Sequence, residues 1–354
     1  MGGDMSRTGR APSRGAGRLI APASPANLPS MPPLRTGTIL AWQQLSPLLA
    51  TFRLGPERGA RFPSYEAGQY IALRRESCRL TRRVAGPDGR ARYVPDLDER
   101  GRQKRGPVTH AYSIASAPSR TESRGELEFL VVLEVADALG RFTEALFDSE
   151  EREGETLGYF ERIAGDFTLA RRAAGIPHVL MVATGTGLAP FVSMIRQLDH
   201  DAAAGLPVPW SVSLVFGNRS PGELAFHDEL SAIAAARRLD FVYLPTVSRP
   251  DEGVSPALGR GRATNVLRHL LGLPIAEEER LEEARATGAD TRAAAAALDG
   301  AVRPRLPAEA DPEALRARLD PQRTVALTCG NPAVMDDVRR VAERASMRLE
   351  REEW

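Results

Sequence analysis

Two rhythms of apolar residues divide the chain. From Thr36 to about Leu169 the apolar positions come in short runs, rich in β-branched and aromatic side chains and separated by Gly, Pro, Ser and Asp. Such runs predict strands at Thr38–Trp42, Ala50–Leu54, Gln69–Leu73, Ala111–Ala115 and Leu127–Leu133. Phe142–Phe147 alone reads as helical there. This profile predicts a small antiparallel β-barrel. Beyond Gly175, strand-like runs near Val179–Ala183, Val212–Phe216, Phe241–Thr246 and Thr324–Thr328 alternate with helical stretches at Phe191–Leu198, Phe226–Arg237, Thr264–Leu271 and Pro332–Ala345. That alternation predicts an α/β domain, a doubly wound parallel sheet covered by helices.

The expected domain limits are 35–172 for the barrel and 173–354 for the α/β half. Residues 1–34 are Gly, Pro, Ser, Ala and Arg with almost no aromatic content, which predicts a disordered tail. The tail is arginine-rich with Asp4 as its acid, so a transit peptide is a second reading; a secretory signal would need an apolar core that is missing. Two stretches fit neither rhythm. Residues 76–107 are basic and rich in Gly and Pro, and residues 276–321 are alanine-rich and charged without a strong strand. Both read as surface insertions.

Composition narrows the function classes. A chain of 354 residues can bury two sizeable cores. A net charge of +1 gives no global pull toward nucleic acid or a membrane surface. No apolar run is long enough for a transmembrane helix. Cys78 and Cys329 are the two cysteines, too few for a disulfide framework, a four-cysteine zinc site or an all-cysteine iron–sulfur cluster. No metal site is expected, and a cytoplasmic location is the default. The basic stretch from Arg74 to Arg105 has Tyr93 as its lone aromatic and no nucleic-acid-binding motif. Neither nucleic acid nor membrane is therefore expected as a partner.

The chemistry concentrates in short motifs. Thr184-Gly-Thr-Gly-Leu-Ala-Pro190 is a glycine-rich turn between a buried strand and a helix, a place where backbone amides meet phosphate. It is neither a Walker loop nor a G-x-G-x-x-G turn, since Pro190 stands where the third glycine would be. The other motifs, in order, are Ala67-Gly-Gln-Tyr70, His110-Ala-Tyr-Ser113, Gly140-Arg-Phe-Thr143, Phe216-Gly-Asn-Arg219, Val247-Ser-Arg249 and Cys329-Gly-Asn-Pro332. Together, by order and spacing, they resemble the ferredoxin–NADP reductase superfamily. The ending Met347-Arg-Leu-Glu-Arg-Glu-Glu-Trp354 looks most like the bacterial ferredoxin or flavodoxin reductases.

That resemblance implies an FAD-binding barrel, an NADP(H)-binding α/β domain and a separate carrier, ferredoxin or flavodoxin. It implies that Tyr112 lies against the flavin and that Ser113 hydrogen-bonds near the reactive N5. His110 stands where the family usually has an arginine on the FAD pyrophosphate, and Arg141 can supply the missing charge. Gly140 and Thr143 would cradle the same pyrophosphate, and Trp354 would stack on FAD. Thr184, Gly185, Thr186 and Gly187 would receive the nicotinamide nucleotide's pyrophosphate. Arg219, Arg249 and Arg262 match the positions that hold a 2′-phosphate, with Ser248 adding a hydroxyl. Cys329 would sit beside nicotinamide C4. Ser113 and Cys329 are the residues expected at the reacting atoms. Two other readings stay open: a reductase of the same superfamily serving an oxygenase or cytochrome, and a flavoprotein subunit that only relays electrons. The basic insertion reads equally as a solvated loop or as a surface that steers an acidic carrier.

Overall fold

In the computed structural model of the protein, the described residues are 33–86, 91–134 and 141–352. The expected tail thus falls, up to residue 32, outside them, as do Gly140 and Trp354. The strand-rich half runs β1 (Leu34–Ser46), β2 (Leu49–Gly55), β3 (Tyr70–Arg79), β4 (Thr81–Ala85), β5 (Ala91–Pro95), β6 (Arg105–Ser113), α1 (Pro118–Arg124), β7 (Leu127–Val132), α2 (Arg141–Phe147) and β8 (Thr156–Ala164). Six of the strands form one antiparallel sheet in the order β6-β3-β8-β1-β2-β7. Trp42 lies opposite Phe52, Phe52 opposite Phe129, and Tyr70 opposite Ser113. The sheet curls almost closed: just past β6, the Ala115 amide donates to the Glu128 carbonyl in β7 at 2.8 Å. Ile39, Phe52, Leu73, Phe129 and Tyr159 fill the interior, with Phe142 and Leu146 of α2 packed among them.

The second half runs α3 (Leu169–Arg172), β9 (His178–Thr184), α4 (Ala189–Ala203), β10 (Ser211–Asn218), α5 (His227–Ala236), β11 (Phe241–Val247), β12 (Gly259–Arg260), α6 (Ala263–Leu270), α7 (Ala276–Thr287), α8 (Arg292–Asp299), α9 (Pro312–Arg318), β13 (Thr324–Cys329), α10 (Pro332–Arg344) and β14 (Arg348–Arg351). The sheet is parallel, in the order β12-β11-β10-β9-β13-β14. β9 and β13 are buried along nearly their whole length, which is why they read as unbroken apolar runs. No helix among the described residues is long and apolar enough to cross a membrane.

Both insertions carry structure that the apolar pattern did not announce. The first folds back as the β4–β5 hairpin, with Val84, Tyr93 and Val94 supplying strand-forming side chains. The second holds α7, α8 and α9. Its Ala, Glu, Leu and Arg are strong helix formers, Gly288 ends α7 in the left-handed region at φ 68°, and the Asp311 carboxylate caps α9. α7 turns Glu277 and Glu279 inward beside Ala276 and Leu281, so it has no apolar stripe to detect.

The two sheets share a core. Leu49, Ala115, Leu130 and Phe167 pack in one cluster with Phe191, Val192 and Met194 of α4 and with the strands beneath them. Arg196 of α4 is buried across this junction. Its guanidinium donates to the Ala115 carbonyl at 2.8 Å, to Glu128 at 2.6 Å and to both oxygens of Glu229, and it lies 4.5 Å from the Phe226 ring centroid.

Candidate active site

The strand order reverses between β9 and β13: the chain moves outward from β9 through β10, β11 and β12, then returns to place β13 on the other side. Open α/β sheets bind ligands at such a crevice, beyond the carboxyl ends of the strands. The glycine turn sits there. Gly185–Leu188 is a single 3-10 turn that runs straight into α4, with Gly185 at φ 54°. Gly187 lies so close to the Cys329 carbonyl that a Cβ there would collide with it and with Gly330. The motifs of β9 and β13, far apart in sequence, thus form one wall.

Ser113 from the antiparallel sheet reaches the same place. Its hydroxyl donates to the two Glu352 carboxyl oxygens at 3.4 Å each, and the Cys329 thiol donates to Glu352 Oε2 at 2.7 Å. All three residues are buried. Burial pushes the Glu352 carboxyl up to about 7, overriding the hydrogen bonds from Cys329 and Ser113, which favour the anion. Burial and then the Glu352 charge push the Cys329 thiol well up, so it stays protonated at neutral pH. Ser113 and Cys329 were expected together; Glu352 was not. The register that brings it in is that of a polar edge strand: Thr328 pairs with Arg351, so Cys329 and Glu352 follow side by side.

On the antiparallel side, Tyr112 and His110 share a face of β6. The Tyr112 ring is 5.2 Å from Phe142 and the His110 ring 6.1 Å from it. Burial lowers His110, with Glu134 opposing weakly, so the imidazole is neutral at pH 7 and brings no charge. Arg141, at the start of α2, donates to Glu144 at 2.5 Å, and its buried Nε has no hydrogen-bond partner among the described residues. Thr143 is buried in the same turn. The β4–β5 hairpin lies elsewhere. β6 runs nine residues from Arg105 to Ser113, so its ends lie roughly 26 Å apart at about 3.3 Å per step. Arg74, Arg75, Arg79, Arg102 and Lys104 of the basic stretch are paired with carboxylates.

A pocket of ≈ 230 Å³ opens at the carboxyl ends of β9, β10 and β11, and Thr184, Arg219, Ser248 and Arg262 are among the residues that line it. Arg249 does not line it; it is exposed, and its amide donates to the Arg219 carbonyl. The structure adds three lining groups that were not expected, Thr264, Arg280 and Asp337.

Residues 181–280 match a family described as the oxidoreductase NAD-binding domain. A ferredoxin–NADP reductase B of Sorangium cellulosum (strain So ce56) is 40% identical over 132 residues, 36% of this chain and 46% of the relative. An NADH-cytochrome b5 reductase 2 of Rattus norvegicus is 28% identical over 95 residues, 27% of this chain and 33% of the relative. Each match spans less than half of the relative's length. A crystal structure of a ferredoxin NADP+ reductase from Neisseria gonorrhoeae with bound FAD and NADP covers 90% of this chain and 98% of its own, with a TM-score of 0.53 and 20% identity. The likeness shows the fold: the curled antiparallel sheet and the parallel sheet are those of the ferredoxin–NADP reductases and related FAD/NAD reductases.

Two features of these sheets are compatible with the FAD and NADP that the Neisseria structure holds. The buried, unpartnered Arg141 Nε suits a pyrophosphate oxygen. The close approach of Gly187 to Cys329 leaves backbone where a side chain would otherwise fill the crevice at the switch point.

Proposed function

We propose that this protein is an FAD-dependent reductase that exchanges electrons between NADP(H) and a separate one-electron carrier, ferredoxin or flavodoxin. The observation that carries the reading is the meeting of Ser113, Glu352 and Cys329 at the switch point, where one sheet supplies the serine and the other the thiol and carboxyl. Residues 35–172 hold FAD and residues 173–354 hold the nicotinamide nucleotide. FAD, held by these residues, would supply the conversion of a two-electron hydride donor into single electrons for the carrier.

The chain's own residues bind, orient and exclude water. Tyr112 offers its ring face to the isoalloxazine, and Arg141 with Thr143 holds the FAD pyrophosphate; Gly140 and Trp354 belong to the same reading. Thr184 to Gly187 take the second pyrophosphate; Arg219, Ser248 and Arg262 in the pocket, with the exposed Arg249 next to Ser248 outside its lining, take the 2′-phosphate. Ser113 and Cys329 face the reacting atoms, with Glu352 Oε2 holding a proton or accepting from both of them. A degraded relay subunit would not need this buried cluster. Similarity to a cytochrome b5 reductase favours a cytochrome as the second choice of carrier.

The test compares carriers. The FAD-loaded protein and NADPH are mixed in turn with a ferredoxin, a flavodoxin and cytochrome b5, with ferricyanide as a carrier-free control. Ferredoxin or flavodoxin should be reduced fastest; a clear preference for cytochrome b5 would move the protein to the second reading. Tyr112→Ala should raise the FAD dissociation constant about tenfold or more, because a stacking face is lost. Flavin per chain after gel filtration checks this, and full retention would mean that Tyr112 does not face the cofactor.

A further inference from the structure

We propose that Arg280, carried by insertion helix α7, reads the 2′-phosphate of the nucleotide, so that the insertion is a specificity arm of the pocket. The inference rests on the NADP(H) reading above.

Three observations support it. The first is anchoring. Acids of α7 are used up in holding the helix against α6 and α10. Glu277 takes Arg262 at 3.0 Å and Asn265 at 2.8 Å, and Glu279 takes Arg268 at 2.7 Å and Arg344 at 2.9 Å. The Ala276 amide donates to Asn265 Oδ1 at 3.0 Å, and Glu278 is tied to Arg303 of the same insertion at 2.5 Å. Arg268 is fully buried between Glu279 and Asp337, so this contact is part of the core of the domain. α7 is therefore fixed in place.

The second is direction. Glu277, Glu279 and Leu281 face inward, while Arg280 is exposed and lines the pocket beside Arg219 and Arg262.

The third is charge. Of the pocket's groups, Asp337 is matched by Arg268 at 2.6 Å and Arg262 by the buried Glu277. Arg219 and Arg280 have no carboxylate within ion-pair distance among the described residues. The pocket thus has two guanidiniums free of side-chain ion pairs among the described residues, the Glu223 carboxylate accepting instead from the Arg219 amide at 3.3 Å. A phosphate monoester carries about −1.5 to −2 at pH 7, which balances them. A ribose 2′-hydroxyl does not, and it would leave two guanidiniums partly desolvated without an anion. Arg262, pre-oriented by Glu277, serves as a hydrogen-bond donor held in position, and Arg219 and Arg280 provide the charge.

The experiment measures kcat/KM for NADPH and for NADH with ferricyanide as acceptor, in the parent, Arg280→Ala and Arg280→Glu. It also measures inhibition by 2′-AMP and 5′-AMP. In Arg280→Ala the NADPH/NADH ratio should fall about tenfold, and inhibition by 2′-AMP should weaken by a similar factor, the size of one charge-assisted contact. Inhibition by 5′-AMP should hold, and Arg280→Glu should lower the ratio further, by more than about a hundredfold. An unchanged ratio overturns the proposal. So does an equal loss for both nucleotides or both monophosphates, which would place Arg280 on the shared part of the nucleotide. A parent that shows no preference for NADPH and no inhibition by 2′-AMP would instead overturn the NADP(H) reading itself.

Discussion

Arg196→Ala should lower the unfolding free energy by about 2–3 kcal/mol, less than for a fully buried pair because the carboxylates that lose their buried cation are only half-buried. The guanidinium satisfies Glu128, Glu229 and the Ala115 carbonyl at the junction of the two sheets. Removing it leaves the Ala115 carbonyl and the Phe226 ring face without this partner, and leaves Glu229 and Glu128 with Arg120 as their remaining cation. Burial alone would raise Glu229, but hydrogen bonds and charge from Arg196, then Arg120, hold it below its ordinary 4.5. The sign of the pH dependence follows. This contribution is fully present above about pH 4.5 and fades as pH falls through the depressed value, so parent and variant converge in acid. Urea denaturation at neutral and acid pH checks both the size and the convergence. A loss below about 1 kcal/mol at neutral pH would show that the junction does not depend on this ion-pair network.

Glu352→Gln should stabilise the protein at pH 8 relative to the parent, and by much less at pH 5. The folded carboxyl lies near 7 rather than at its ordinary 4.5 because it is buried. A raised acid gives stability that is complete below the unfolded value and is lost as pH rises through the folded one. The shift corresponds to something on the order of 3 kcal/mol by pH 8, since each unit is worth about 1.4 kcal/mol. Glutamine cannot titrate, so the parent's decline between pH 5 and pH 8 should flatten in the variant. The same change should remove the inflection near pH 7 from kcat for NADPH-driven reduction. If the parent's stability is level over that range, Glu352 is not held protonated in the fold.

The sheet-forming runs were legible because buried parallel strands are apolar throughout and the curled sheet presents short β-branched segments. Ser113, Cys329 and the turn from Thr184 to Gly187 could likewise be named from motifs, and the structure brings them together. Glu352 could not, because β14 is a polar edge strand whose pairing with β13 sets the register, and Arg-Leu-Glu-Arg has no signature of its own. α7 escaped for a related reason: it packs through Glu277 and Glu279 rather than through an apolar stripe, so a search for buried faces passes over it. Arg280 followed α7 out of view. Arg249 matches by motif position and stands exposed outside the pocket lining in this structure.

The central claim is that one chain holds FAD and delivers to it the hydride of NADPH. Anaerobic titration of the FAD-reconstituted protein with NADPH, followed by the visible flavin absorbance, tests it most directly. The account predicts rapid bleaching that ends near one equivalent of NADPH per bound FAD, with NADH much slower at the same concentration. A protein that takes up no FAD, or whose flavin band is untouched by NADPH, would contradict it.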